Sequence, residues 1–215
     1  MMVISARPTA PYTFNAVGDS ITYGSGVTYG YAALVQQAIT SNKAFTPNGM
    51  IRGIDGDGFN YIYAGQTLNL TQDAVTTIDP IRDVTRRDYL VIFAGTNDIW
   101  LGGSSAAQTY AYFQTFIDAR IASGWVEGDI FVCTMLPRQT LSETIRTAYN
   151  SAIVGKAKAG GGTYNYTAIR LDLDASVGVA GQQNDTTYYQ SGAVHPNQAG
   201  HQIIANLVYA AINFP

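Results

Sequence analysis

The chain has 215 residues, of which 47% are hydrophobic and 13% charged, a composition typical of one folded domain over residues 1–215. A net charge of −3, with only 12 Lys and Arg, argues against nucleic acid as a partner. No apolar run is long enough to span a membrane, and Cys133 is the only cysteine, which excludes an internal disulfide and a Cys-rich metal site.

Residues 1–11 lack the charged start and the apolar centre of a secretory signal. Either export by that route does not occur or a leader precedes this sequence. Low charge together with many Tyr, Thr, Gln, Asn and Gly residues favours an extracellular or virion-associated location. The sequence gives no indication of the oligomeric state.

Short apolar runs alternate with segments of helical periodicity along the chain. The apolar runs predict strands at 12–17, near 50–52, and at 61–64, 89–93, 130–135 and 166–171. The periodic segments predict a helix after Ser20 that contains Leu34 and Ile39, and helices at 70–78, 106–121, 142–157 (ending in the glycines at 160–162) and from about 196 onward. The alternation predicts a three-layer α/β/α sandwich with a parallel sheet of about five strands.

Polar residues follow three of the predicted strands. Ser20 follows the first, Gly65 the strand at 61–64, and Asn97 the strand at 89–93. The carboxyl ends of parallel strands meet at one edge of a sheet, and the last loop can bring His195 to the same edge. Acyl transfer needs a nucleophile, a base within hydrogen-bond reach, and donors aimed at the developing oxyanion. Ser20, His195 and the pair Gly65 and Asn97 fill these roles.

Four short blocks occur in a fixed order: Gly-Asp-Ser-Ile at 18–21, Gly65, Gly-Thr-Asn-Asp at 95–98 and His-Pro-Asn at 195–197. This ordered set resembles the SGNH hydrolases, also called the GDSL esterase/lipase family. The resemblance implies a flavodoxin-like fold and ester hydrolysis by Ser20 and His195 without a cofactor or metal. It also implies an oxyanion hole made of the Ser20 backbone N–H, Gly65 and Asn97. Three glycines of the preceding loop compete with Gly65 for its place: Gly53, Gly56 and Gly58.

The chain departs from the family pattern at one position. The family carries an aspartate three residues before the histidine, where this chain has Gly192. Loss of that acid costs roughly 10⁴-fold in related triads. A backbone carbonyl near Ser191 or Gly192 holds the ring in the interpretation we favour. The alternatives are that Asp185 reaches in from the same loop, or that activity is weakened or altered.

These observations predict a serine ester hydrolase that acts on small-acyl esters, such as acetylated carbohydrates, because no long apolar lid segment is evident. The competing hypothesis is a non-catalytic or weakly active module of the same fold that binds a glycan or ester. A nucleotide-binding protein is a more distant alternative, since the glycines at 24–30 imitate a dinucleotide fingerprint with its final spacing one residue too long.

Several further residues are interpreted as structural. Asp19 and Asp98 are expected to anchor turns by accepting backbone N–H groups, and His201 to support the last helix. The thiol of Cys133 is expected to be buried and inert. Trp100 and Leu101, just past Asn97, are candidates either for the substrate pocket or for the core.

Overall fold

The computed structural model describes residues 9–43, 46–156, 163–192 and 194–215. The expectations for residues 1–8 and for the glycines at 160–162 lie outside this part of the chain. The described strands are β1 (Thr9–Gly18), β2 (Thr46–Asn48), β3 (Ile51–Gly53), β4 (Arg87–Phe93), β5 (Ile130–Cys133) and β6 (Thr167–Ile169). The described α-helices are α1 (Ser20–Tyr23), α2 (Tyr31–Lys43), α3 (Leu70–Thr77), α4 (Thr96–Trp100), α5 (Ala106–Ala122), α6 (Glu143–Gly155) and α7 (Gln198–Ile212).

All described strand pairs are parallel, in the order β2, β1, β4, β5, β6, and β3 also pairs with β1. β2 lies beside the amino-terminal part of β1, whereas β3 lies beside its carboxyl end, with Gly53 opposite Gly18. Two short strands therefore share one position of the sheet. Counted by position, the sheet has the order 2-1-3-4-5 of flavodoxin-like folds. The predicted α/β/α architecture is confirmed.

Side chains of β4 alternate between the two faces of the sheet. Tyr89, Val91 and Phe93 belong to a core that also holds the buried faces of α2 and α7. Leu90 and Ile92 belong to a second core, with α3, α5 and α6. Covering both faces explains why this strand is an unbroken apolar run. The arrangement leaves the carboxyl edge of the sheet free for loops.

The strand predicted at 61–64 is wrong. These residues lie in an irregular segment and a turn, with Ile62 and Tyr63 exposed. The backbone N–H of Tyr61 donates to the Asp98 carboxylate and that of Tyr63 to Asp57. Because carboxylates take up these donors, the segment has no need of a neighbouring strand. β3 fills the second sheet position, close to the short strand predicted near 50–52.

The structure also bears on a membrane span and on the single cysteine. Within the described residues, no helix is both long and apolar enough to cross a membrane. Cys133 is buried in β5, and this burial raises the pKa of its thiol well above the ordinary value, so the thiol is protonated at neutral pH.

Candidate active site

Ser20 lies where β1 gives way to a short helix at the carboxyl edge of the sheet. The side chain of Asp19 caps α1 by accepting the N–H of Ile21 at 3.0 Å, as expected for a turn anchor. A Cβ at Gly18 would lie 2.1 Å from the backbone oxygen of Phe93, so only glycine lets β1 pass β4 at this point. The Gly-Asp-Ser sequence thus turns the chain and presents the Ser20 hydroxyl above the sheet.

The His195 ring meets the Ser20 side chain: Nε2 and Oγ are 2.8 Å apart. The segment before α7 is held in place by backbone and side-chain bonds. The Gln190 N–H donates to the His195 carbonyl, and Asn197 caps α7 by accepting the N–H groups of Ala199 and Gly200. The structure therefore brings together two residues that are 175 positions apart in the sequence.

Asn97 is in α4, directly after β4. Its Nδ2 donates to the backbone oxygen of Asp57 at 2.9 Å, which leaves its second N–H available. The neighbouring Asp98 carboxylate accepts three backbone N–H groups, those of Phe59, Asn60 and Tyr61. The two residues together fix the loop that follows β3 against the start of α4, and Asp98 is the loop anchor that the sequence predicts.

Gly65 is not among the residues that line the cleft beside Ser20. Gly65 is in an exposed turn, and a Cβ added to it would meet nothing within 4 Å. Gly56 instead lies in the wall of the cleft beside Ser20, Asn97 and His195. The reason is the strand correction: the loop after β3, not the one after 61–64, reaches the carboxyl edge. Gly56 has a φ of +83°, a conformation that favours glycine, and it is one of the three competitors considered above.

The three candidates for a third member of the triad lie in the loop before His195. Ser191 and Gly192 are in an exposed turn, and Gly192 has a φ of +105°. Asp185 accepts the N–H of Thr187 at 2.8 Å. Within the described residues, the one hydrogen bond of the His195 ring is that between Nε2 and Ser20, so none of the three contacts the ring through such a bond.

A cleft with a volume of about 200 Å³ opens at the Ser20–His195 pair, and a much smaller pocket adjoins it. Trp100 and Leu101, which the sequence left between pocket and core, both line the cleft. Residues that the sequence reasoning missed also line it: Asp55, Tyr63 and Arg138. Arg138 lies in the segment after β5, just as Asn97 lies after β4, so its place at the carboxyl edge of the sheet could have been predicted. No sequence motif singles Arg138 out.

Charges in and near the cleft shift the pKa values of its groups. Burial lowers the pKa of His195 below 6.5, the charge of Arg138 lowers it further, and Asp55 opposes the shift. Burial raises the pKa of Asp19 to about 7, although the bond from Ile21 and the charge of Arg138 act against this. Burial lowers the pKa of Arg138 to about 10, with Asp19 opposing, so the guanidinium stays charged at neutral pH. The His195 ring is therefore mostly neutral at neutral pH.

The second histidine and possible metal ligands are separate from this chemistry. Nδ1 of His201 accepts the N–H of Tyr31 at 3.1 Å, which links α7 to α2. Burial lowers the pKa of His201 to about 4, so its ring is neutral. Across the described ranges, no group of three or more His, Cys, Asp or Glu side chains is placed to hold a metal ion.

Solved structures with the same fold include several hydrolases. A lipolytic G-D-S-L family protein from Veillonella parvula DSM 2008 aligns with a TM-score of 0.69 at 18% identity, over 94% of this chain and 98% of that one. The lipase/acylhydrolase from Enterococcus faecalis aligns with a TM-score of 0.63 at 17% identity, over 94% and 95%. A family 3 carbohydrate esterase from Clostridium thermocellum aligns with a TM-score of 0.62 at 16% identity, over 93% and 94%.

Sequence comparison assigns the family. No curated protein matches the chain significantly by sequence. The family model for the GDSL-like lipase/acylhydrolases matches residues 16–203, which include Ser20, Asn97 and His195. The chain belongs to the GDSL-like lipase/acylhydrolase family of carboxylic ester hydrolases.

Proposed function

We propose that the protein hydrolyses esters through an acyl-enzyme on Ser20, with His195 as the base. The observation that carries this proposal is the 2.8 Å contact between Ser20 Oγ and His195 Nε2. Ser20 attacks the ester carbonyl carbon while its proton passes to Nε2. Nε2 then protonates the alcohol oxygen as the bond from that oxygen to the acyl carbon breaks. Water attacks the acyl-enzyme, with Nε2 again taking a proton, and releases the acid and free Ser20.

The oxyanion hole in this proposal consists of the backbone N–H groups of Ser20 and Gly56 and the side chain of Asn97. Among the described residues, neither backbone N–H donates a hydrogen bond to the protein. Asn97 has one N–H beyond the one bonded to Asp57. Gly56 replaces Gly65 in this role because it lines the cleft with the other two residues. Three uncharged donors around one cleft suit the negative oxygen of a tetrahedral intermediate.

Acylated carbohydrates with a small acyl group, acetate foremost, are the proposed substrates. Support comes from the wall of the cleft, which combines two aromatic rings, those of Tyr63 and Trp100, with polar groups. Both aromatic side chains are partly exposed to solvent. Such a surface suits a sugar better than a long acyl chain.

Replacing Asp185 by alanine is expected to leave kcat/KM within about twofold of the wild-type value, as for most surface substitutions. The Asp185 carboxylate is engaged by Thr187 in the loop and makes no described bond to His195. Hydrolysis of p-nitrophenyl acetate measures the effect, with circular dichroism to confirm folding. A loss of about 100-fold or more in a folded variant would instead identify Asp185 as the acid of a triad and contradict the preference for a backbone carbonyl.

The pH dependence of ester hydrolysis tests the proposed function. His195 accepts the proton of Ser20 only when its ring is neutral, so kcat/KM rises with pH as the ring loses its proton. Burial and the charge of Arg138 lower the pKa of the ring, so the midpoint is expected below 6.5, with full activity above it. The measurement is p-nitrophenyl acetate hydrolysis from about pH 4.5 to 8, as far as the fold is retained.

Asp19 is the control for this experiment, because its pKa is about 7. In the Asp19→Asn variant the midpoint is expected to stay below 6.5, since Asp19 is not among the groups that shift the pKa of His195. A rate independent of pH across this range would contradict a histidine base. A midpoint that disappears in Asp19→Asn would assign the ionisation to Asp19 instead.

A further inference from the structure

Arg138 is a charged side chain in the wall of both the cleft and the adjoining cavity. The residue is only 7% exposed. Its guanidinium carbon lies 3.7 Å from the centre of the Trp100 ring, and Nη1 approaches Asn97 Oδ1 at 3.5 Å. The Trp100 ring is itself held by a bond from Nε1 to Thr140 Oγ1 at 2.7 Å. The guanidinium is thus stacked on a fixed surface next to Ser20 and His195.

Among the described residues, the Arg138 guanidinium has no ion pair with a carboxylate. Six arginines of the described chain lie within 4.0 Å of a carboxylate: Arg52, Arg86, Arg87, Arg120, Arg146 and Arg170. Arg138 has no such ion pair among the described residues, and its buried Nε has no hydrogen-bond partner there. A buried charge without a partner is costly, so it is retained where a ligand supplies the opposite charge.

The two carboxylates near Arg138, those of Asp19 and Asp55, do not neutralise its charge. Asp19 attracts Arg138, but its carboxylate accepts the N–H of Ile21 and forms no ion pair with Arg138 among the described residues, and burial raises its pKa to about 7. Asp55, in the cleft wall, is exposed and accepts the Ser25 hydroxyl at 3.1 Å. Water and salt therefore screen the charge of Asp55. The positive charge of Arg138 remains available to a molecule in the cleft.

We propose that Arg138 binds a carboxylate on the alcohol part of the substrate, so that the preferred esters are small-acyl esters of hydroxy acids, such as acylated sugar acids. This inference rests on the proposed esterase function. Arg138 is the one cationic side chain in the described cleft wall, since the His195 ring is neutral at neutral pH, and its single positive charge balances the single negative charge of a carboxylate. Because an acyl group as small as acetate carries no carboxylate, the negative charge has to lie on the alcohol part of the ester.

The experiment compares two substrates of nearly the same shape, of which one carries a negative charge and the other is neutral: para-acetoxybenzoate and para-acetoxybenzamide, together with their meta isomers. The variants are Arg138→Gln, which removes the charge, and Arg138→Lys, which keeps it without the planar fork. Arg170→Gln is the matched control, because Arg170 pairs with Asp172 outside the cleft. The readout is the ratio of kcat/KM for the acid to that for the amide, in which differences between the phenol leaving groups cancel from one variant to the next.

The wild-type protein is expected to favour the acid over the amide relative to their rates of hydrolysis by hydroxide. Arg138→Gln is expected to lower the acid-to-amide ratio by roughly 10- to 100-fold, mainly through KM, as for the loss of a charge-assisted hydrogen bond. Arg138→Lys should lie in between, and Arg170→Gln should match the wild type.

Equal losses for both substrates in Arg138→Gln would overturn the proposal, because they would show that Arg138 only positions Asn97 or shifts the pKa of His195. If the variant does not fold, the wild type decides: benzoate should inhibit competitively and benzamide more weakly, and equal inhibition by the two would overturn the proposal. Failure of the esterase function itself is distinct, since neither the acid nor the amide would then be hydrolysed.

Discussion

Replacing Ser20 by alanine is expected to lower kcat for p-nitrophenyl acetate by about 10⁴- to 10⁶-fold, as for other serine nucleophiles. The Ser20 hydroxyl is the group that His195 contacts, and the cleft opens at this pair. Alanine removes the nucleophile and leaves the oxyanion donors in place, including the backbone N–H of residue 20. KM is expected to change little, because the hydroxyl takes part in bond formation more than in substrate binding.

The controls for this prediction separate loss of the nucleophile from loss of the fold. Ser151→Ala changes an exposed serine of α6 and should retain wild-type turnover. His195→Ala should lose about as much as Ser20→Ala, and the double variant should be no worse than either single variant, because the two side chains act as one unit. Ser20→Ala with more than about a tenth of wild-type activity would contradict the mechanism, since a general base alone contributes 100-fold or more.

The sequence predicted that Ser20, Asn97 and His195 lie at one edge of the sheet, and one rule accounts for Ser20 and Asn97. Polar residues that follow buried strands of a parallel sheet share its carboxyl edge, and β1 and β4 are apolar runs that are easily recognised. β1 and β4 are direct neighbours, with Gly18 opposite Phe93, so the residues that follow them are necessarily close. His195 reaches the same edge because it directly precedes α7, which packs on α2.

The same rule failed for the second strand. Tyr61–Ala64 has the apolar, aromatic composition of a strand, whereas Ile51–Gly53 is short and its pattern is weak. Hydrogen bonds from Tyr61 to Asp98 and from Tyr63 to Asp57 occupy the backbone of this segment, and bonds to side chains leave no periodicity in the sequence. The sequence therefore named Gly65 for the role that we propose for Gly56. The sequence analysis missed Arg138 for a different reason. A single arginine after a strand indicates no function by itself, and its contacts with Trp100 and Asn97 are known only from the structure.

Replacing Asn97 by alanine is expected to lower kcat by roughly 100- to 1000-fold, the usual cost of losing one oxyanion donor. Two effects contribute. The variant loses the N–H proposed to face the developing oxyanion, and it also loses the bond from Nδ2 to the Asp57 carbonyl, which fixes the loop that contains Gly56. The measurement is the kcat for p-nitrophenyl acetate, with Asn206→Ala in the exposed face of α7 as the matched control.

The Asn97→Asp variant sharpens this prediction, because aspartate has nearly the same shape and cannot donate when ionised. Its carboxylate would face both the Asp57 carbonyl and the developing negative oxygen, so kcat should fall at least as far as in Asn97→Ala. Arg138, whose Nη1 approaches Asn97 Oδ1 at 3.5 Å, would hold that carboxylate charged. If either variant retained kcat within about tenfold of the wild type, Asn97 would not be an oxyanion donor, and the backbone N–H groups of Ser20 and Gly56 would have to stabilise the intermediate without it.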